Sequence, residues 1–197
     1  MKNIFQAARY TSYALLGVTL ISAILTGLMY VVDDGTFLIS WIWRIINLLF
    51  CFITLLFWCN FCWQCDKKAP ILPSAAILCG AFIFDIIILL LNYTGTIYSH
   101  DLIMQIMWAL SGICAIIGIS MLGRFFPNKT PIKKVVRIIL ILIILEFVMP
   151  IINSVILIVY DYSGVFVILN SITELLPLLI YGFWARFYHL LYLSSKQ

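Results

Sequence analysis

Residues 71–91 read ILPSAAILCGAFIFDIIILLL, an apolar run in which Asp85 is the only charged side chain. A membrane-crossing helix needs about 20 such residues to span roughly 30 Å of hydrocarbon. The run is too long for a buried strand and has no polar face to offer water. It reads as a helix in lipid, where every backbone N–H and C=O must be satisfied within the segment.

Working outward from this run, five further stretches have the same character: Tyr10–Val32, Phe37–Cys62, Leu102–Leu122, Ile138–Tyr160 and Val165–Ala185. Together with Ile71–Leu91 they predict an all-α, polytopic membrane protein: a single domain over residues 1–197, built as a bundle of six transmembrane helices. The connections between them are short and carry turn residues, such as Asp33-Asp34-Gly35 and Lys67-Lys68-Ala69-Pro70, so none marks a second domain. The apolar stretch near the N-terminus is longer than a signal-peptide core and lacks a small-x-small cleavage pattern, so it is read as a retained first helix. Composition agrees: 64% of the 197 residues are hydrophobic and 10% charged, with mean hydropathy +1.14. A water-soluble domain carries about 25% charged residues, so a soluble globule is excluded.

The net charge of +4 is placed in a way that argues for membrane orientation and against a nucleic-acid partner. Lys2 and Arg9 precede the first span, Lys67 and Lys68 follow the second, and Arg186 and Lys196 follow the sixth. Arg124, Lys129, Lys133, Lys134 and Arg137 lie between the fourth and fifth. The other three connections hold only Asp33, Asp34, Asp101 and Asp161. By the positive-inside rule both termini are expected in the cytoplasm, and a bacterial plasma membrane is the expected setting. The basic segment 123–137 could touch anionic lipid or dock a membrane or cytoplasmic protein, and topological anchoring alone also accounts for it. Asn92-Tyr93-Thr94 abuts a span end and is read as a chance glycosylation match.

Four ionisable residues remain inside the spans: Arg44, Asp85, Glu146 and Glu174. Each costs a few kcal/mol near mid-membrane, and such residues usually face the bundle interior. Arg44 and Asp85 fall at similar depth on adjacent antiparallel helices, so an intramembrane ion pair is expected. On the fifth helix Glu146, Pro150 and Asn153 share a face, and on the sixth Asn170, Glu174, Pro177 and Tyr181 do. Pro150 cannot donate to the Glu146 carbonyl, nor Pro177 to that of Thr173, and each proline predicts a kink. Two carboxyls and two carboxamides at mid-membrane suggest a site for a proton, a cation or a substrate amine between these two helices, as in transporters built around interrupted helices. The structural alternative is interhelical asparagine bonding, proline kinks and carboxyls that stay protonated.

The six cysteines suggest no disulfide framework. Cys59-x-x-Cys62-x-x-Cys65 echoes an iron–sulfur run but lacks a fourth ligand, and packing, or acylation of thiols beside the membrane, accounts for it as well. His100 and His189 lie on opposite sides, which excludes a bis-histidine haem within one chain. No phosphate loop, zinc-protease helix or nucleophile elbow is present, so no cofactor, no metal and no catalytic residue is assigned. Small residues on the fourth helix (Ser111, Ala115, Gly118) and third (Ala76, Gly80) predict close packing near the axis, while much of the aromatic second helix is expected to face lipid. The functional expectation is a small carrier, or a solute- or cation-binding membrane subunit. In size and topology alone it resembles the six-helix substrate-binding subunits of vitamin-uptake transporters. The alternative is a non-catalytic subunit that assembles or regulates a larger membrane complex.

Overall fold

The computed structural model describes the backbone of residues 2–31, 36–94, 102–160 and 164–194, and their side chains except at 2, 30, 36–37, 153–160, 164–171 and 174. Among the described residues there are six helices and no strand: α1 Lys2–Val31, α2 Thr36–Gln64, α3 Leu72–Tyr93, α4 Leu102–Arg124, α5 Pro131–Tyr160 and α6 Gly164–Ser194. Five of them, α1 to α5, are long and apolar enough over their described residues to cross a membrane. The outer surface supports the same reading. Leu16, Leu20, Leu56, Ile103 and Ile141 each expose about half or more of their surface, among many other large apolar side chains. A monomer in water rarely shows so continuous an apolar exterior, whereas lipid requires it. The chain is an integral, multi-pass membrane protein by these criteria.

Helix ends differ from the apolar limits because a helix does not stop where hydrocarbon stops. α5 begins at Pro131 rather than Ile138, and α6 runs to Ser194 rather than Ala185. Pro131 suits a first helical position, where no donor is needed. Thr130 caps it, its Oγ1 accepting the Lys133 N–H at 3.3 Å. The basic segment read as a loop is therefore mostly helical, and only residues 125–130 connect α4 to α5. Both α5 and α6 remain helical through Pro150 and Pro177.

Each helix packs on the next in sequence, and α1 packs on α6, so the six close into a ring. The Arg9 guanidinium lies 5.4 Å from the Tyr192 ring centre, which sets the start of α1 beside the end of α6. The ring is filled on that side by aromatic residues. Phe57 and Trp58 of α2 meet Trp184, Phe187 and Tyr188 of α6, with Trp58 6.2 Å from Trp184 and Phe57 4.4 Å from Tyr188. Trp58, Trp184, Phe187 and Tyr188 are fully buried. The second helix thus keeps a broad lipid-facing side (Leu38, Leu49, Leu56, Trp63) and turns Phe57 and Trp58 into the core. A six-helix ring leaves an axial space that only bulky side chains can fill, and α2 and α6 carry them.

The small residues do their work between neighbouring helices. Ser74 of α3 donates to the Gly118 carbonyl of α4 at 2.7 Å. A Cβ at Gly118 would stand 2.8 Å from Leu78 Cγ, so glycine is what permits this approach. On α3 the packing is made by Ser74, Ala75 and Ala81; Ala76 is exposed, and a Cβ at Gly80 would meet nothing within 4 Å. The α3 ridge predicted from small residues is therefore rotated away from α4.

Candidate functional site

Beyond the aromatic fill, the helices line a half-open cavity of about 350 Å³. Its walls come from α2, α3, α4, α5 and α6. Two acidic side chains face it, Asp85 from α3 and Glu146 from α5. No Lys, Arg or His lines it among the described residues. Glu146 sits midway along α5, about 22 Å from either end at 1.5 Å per residue. The site is therefore as far from either end of that helix as it can be.

The sequence of α4 positions the site. Ser111 and Gly112 are consecutive, so their side-chain positions point about 100° apart on the helix. Ser111 is turned to α3, where its hydroxyl donates to the Asp85 carboxyl, with the Ala81 carbonyl 3.3 Å away as the alternative acceptor. Gly112 is turned to α5, where a Cβ would stand 2.5 Å from Phe147 Cδ2. That absence of a side chain lets the Phe147 ring lie flat on Trp108, with centroids 4.8 Å apart and planes 11° from parallel. One turn of α4 thus fixes a carboxyl on one side of the cavity and an aromatic pair on the other.

The remaining walls combine aromatic side chains with aliphatic ones such as Leu78, Ile119 and Ile180. Phe50 of α2 stacks on Tyr181 of α6 at 4.1 Å, and Trp43 of α2 donates its Nε1–H to Thr26 of α1 at 3.1 Å. Asn47 and Cys51 of α2 contribute a carboxamide and a buried thiol. Pro177 of α6 also lines the cavity, where its helix passes the site. A space of this kind, with aromatic walls and a few converging polar groups, has the anatomy of a small-molecule site.

The structure redistributes the residues proposed from sequence. Glu146 faces a cavity, as the intramembrane rule suggests, but the carboxyl it shares that cavity with belongs to Asp85. The side chains of Asn153, Asn170 and Glu174, which the α5–α6 pairing needs, lie outside those described. Arg44 and Asp85 are not joined as an ion pair: Arg44 is exposed, while Asp85 is bonded to Ser111. Arg44 lies on an exposed face of α2, whereas Asp85 faces the cavity. Trp43, Asn47, Trp108 and Phe147 were not singled out from the sequence. Signals existed for two of them, since Ser111 and Gly112 at adjacent positions, just after Trp108, mark a place where neighbours come close.

The cysteine run is split. Cys59 Sγ lies 3.9 Å from Cys79 Sγ of α3, and Cys65 follows the end of α2. Among the described residues no three ligating side chains surround one point that could hold a metal ion. No protein-family model, curated protein or solved structure matches the chain. The likeness in size and topology to vitamin-uptake subunits gains no support from these comparisons.

Proposed function

We propose that this chain is a six-span carrier, or solute-binding membrane subunit, that holds a positively charged solute in the cavity between α2 and α6. The observation that carries the reading is the meeting of Asp85 and Glu146 in one cavity with no basic residue to neutralise them. Two acids inside a membrane protein are expensive, and a positive ligand is the partner that offsets the cost. A subunit serving only to assemble a complex would gain nothing from leaving such a space unfilled. The cytoplasmic placement of both termini and the sixth span belong to this proposal, on the strength of the basic residues and the length of α6.

Trp43, Trp108 and Trp184 line the cavity and would report its occupancy by fluorescence. Purified protein in lipid nanodiscs is titrated with inorganic and organic cations, alongside Asp85→Asn and Glu146→Gln. A saturable signal with at least one cation, weakened about tenfold or more in each variant, is the expected result, since a hydrogen bond or contact to a charged group is worth roughly 1.5–3 kcal/mol. A signal that survives both substitutions unchanged would refute the reading.

A further inference from the structure

We infer that the solute is an organic ammonium ion carrying an apolar or aromatic group, and that metal ions are not its cargo. This rests on the cation-binding reading above and narrows it to a chemical class.

Oxygen count is the first argument. A divalent ion takes six or more oxygen ligands, and even octahedral magnesium keeps several waters. Besides Asp85 and Glu146, the lining side chains offer oxygens from Ser111, Asn47 and Tyr181. The Ser111 hydroxyl is already committed to Asp85. The remaining groups are spread over different helices around a space of about 350 Å³. A bare ion pulled to one carboxyl would leave most of that space to water, roughly ten molecules at ~30 Å³ each. The aromatic walls give such water few partners.

An alkylammonium ion inverts each of these objections. In a quaternary ion the charge is spread over carbon-bound hydrogens, and in a protonated amine over a few N–H donors, so either needs one or two carboxylates and ring faces in place of a full oxygen shell. Two aromatic pairs supply flat, pre-ordered surfaces: Trp108 on Phe147, and Phe50 on Tyr181. The first pair is held in place by the glycine gap at 112, so it costs little ordering when a ligand arrives. An apolar substituent then occupies volume that water would fill poorly, which adds affinity in proportion to buried area.

The test uses the full chain in nanodiscs of zwitterionic lipid and benzyltrimethylammonium as probe. Its binding is followed by tryptophan quenching and by magnetisation transfer to its ring protons. Tetramethylammonium, Na⁺, K⁺ and Mg²⁺ are the comparisons. Expected is saturable binding of benzyltrimethylammonium, at least about tenfold tighter than tetramethylammonium because the ring buries additional apolar area. Glu146→Gln and Trp108→Leu should each weaken it by about tenfold or more, with the loss at Trp108 absent for any inorganic ion. Saturation by Na⁺, K⁺ or Mg²⁺ with no response to the organic probe would overturn the class while leaving cation binding standing. Silence with every cation would overturn both. Probe binding that ignores Glu146→Gln and Trp108→Leu would place it elsewhere and overturn the inference. Wild-type protein alone separates the ion classes, so a variant that fails to fold does not rescue the idea.

Discussion

Replacing Gly118 by alanine tests the packing that positions the cavity. The added Cβ would stand 2.8 Å from Leu78 Cγ and 2.9 Å from Leu78 Cδ2, against an ordinary contact of 3.4–4 Å. Leu78 is fully buried, so it has no open space to turn into. Relief requires α3 and α4 to part by at least about 0.6 Å, the shortfall from van der Waals contact. That stretches the 2.7 Å bond from Ser74 to the Gly118 carbonyl to the edge of hydrogen-bonding range. Overpacking costs about 1–3 kcal/mol and the weakened bond up to about 1, offset by nearly 1 from better helix propensity. The net expectation is a loss of up to about 3 kcal/mol. Gly80→Ala on the facing helix meets nothing within 4 Å and should be neutral or mildly stabilising. Unfolding of both variants in mixed micelles by graded denaturing detergent measures the contrast. The Gly118→Ala, Leu78→Ala double variant should lose at least about 1 kcal/mol less than the sum of its singles, because the smaller residue makes room. Equal stability of the two glycine variants, or strict additivity in the double, would refute the close approach of α3 and α4.

Other outcomes follow from the same contacts. Gly112→Ala should force Phe147 off Trp108 and weaken probe binding in the cavity about tenfold with a smaller effect on stability; unchanged affinity would remove the aromatic pair from the site. Tyr188→Phe should be neutral or stabilising by up to about 1 kcal/mol, since its buried hydroxyl makes no well-formed hydrogen bond among the described residues, and a clear loss of stability would mean that it is bonded to Trp58 Nε1. Mild oxidation of membranes should join Cys59 to Cys79, their sulfurs being 3.9 Å apart, and peptide mapping that finds either one linked to Cys114 instead would contradict the α2–α3 packing.

The helical class and the membrane setting are legible in the chain because lipid imposes one rule on every residue of a span. A run such as Ile71–Leu91 has no stable alternative to a helix in hydrocarbon, whatever its neighbours are. The boundaries were less legible at α5 and α6, where helix continues past the apolar limit through Lys133, Lys134 and Arg137 at one end and His189 at the other. Hydropathy marks the edge of the hydrocarbon, and a helix answers to capping and packing as well. At α2 composition could not tell the two faces apart: Phe57 and Trp58 are lipophilic enough for either solvent, and the ring closure sends them inward.

By itself the sequence determined that Asp85 and Glu146 sit deep in apolar helices and therefore demand an explanation. It could not determine which groups they would meet. Depth along a helix is read by counting residues, but the direction of a side chain depends on helix rotation, at about 100° per residue. An error of one position turns a partner into a stranger. Arg44 is exposed and does not line the cavity, whereas Asp85 and Glu146, on helices that are not sequence neighbours, both reach it. That convergence is set by the glycine and serine contacts of α4 with α3 and α5, which only the folded ring brings together.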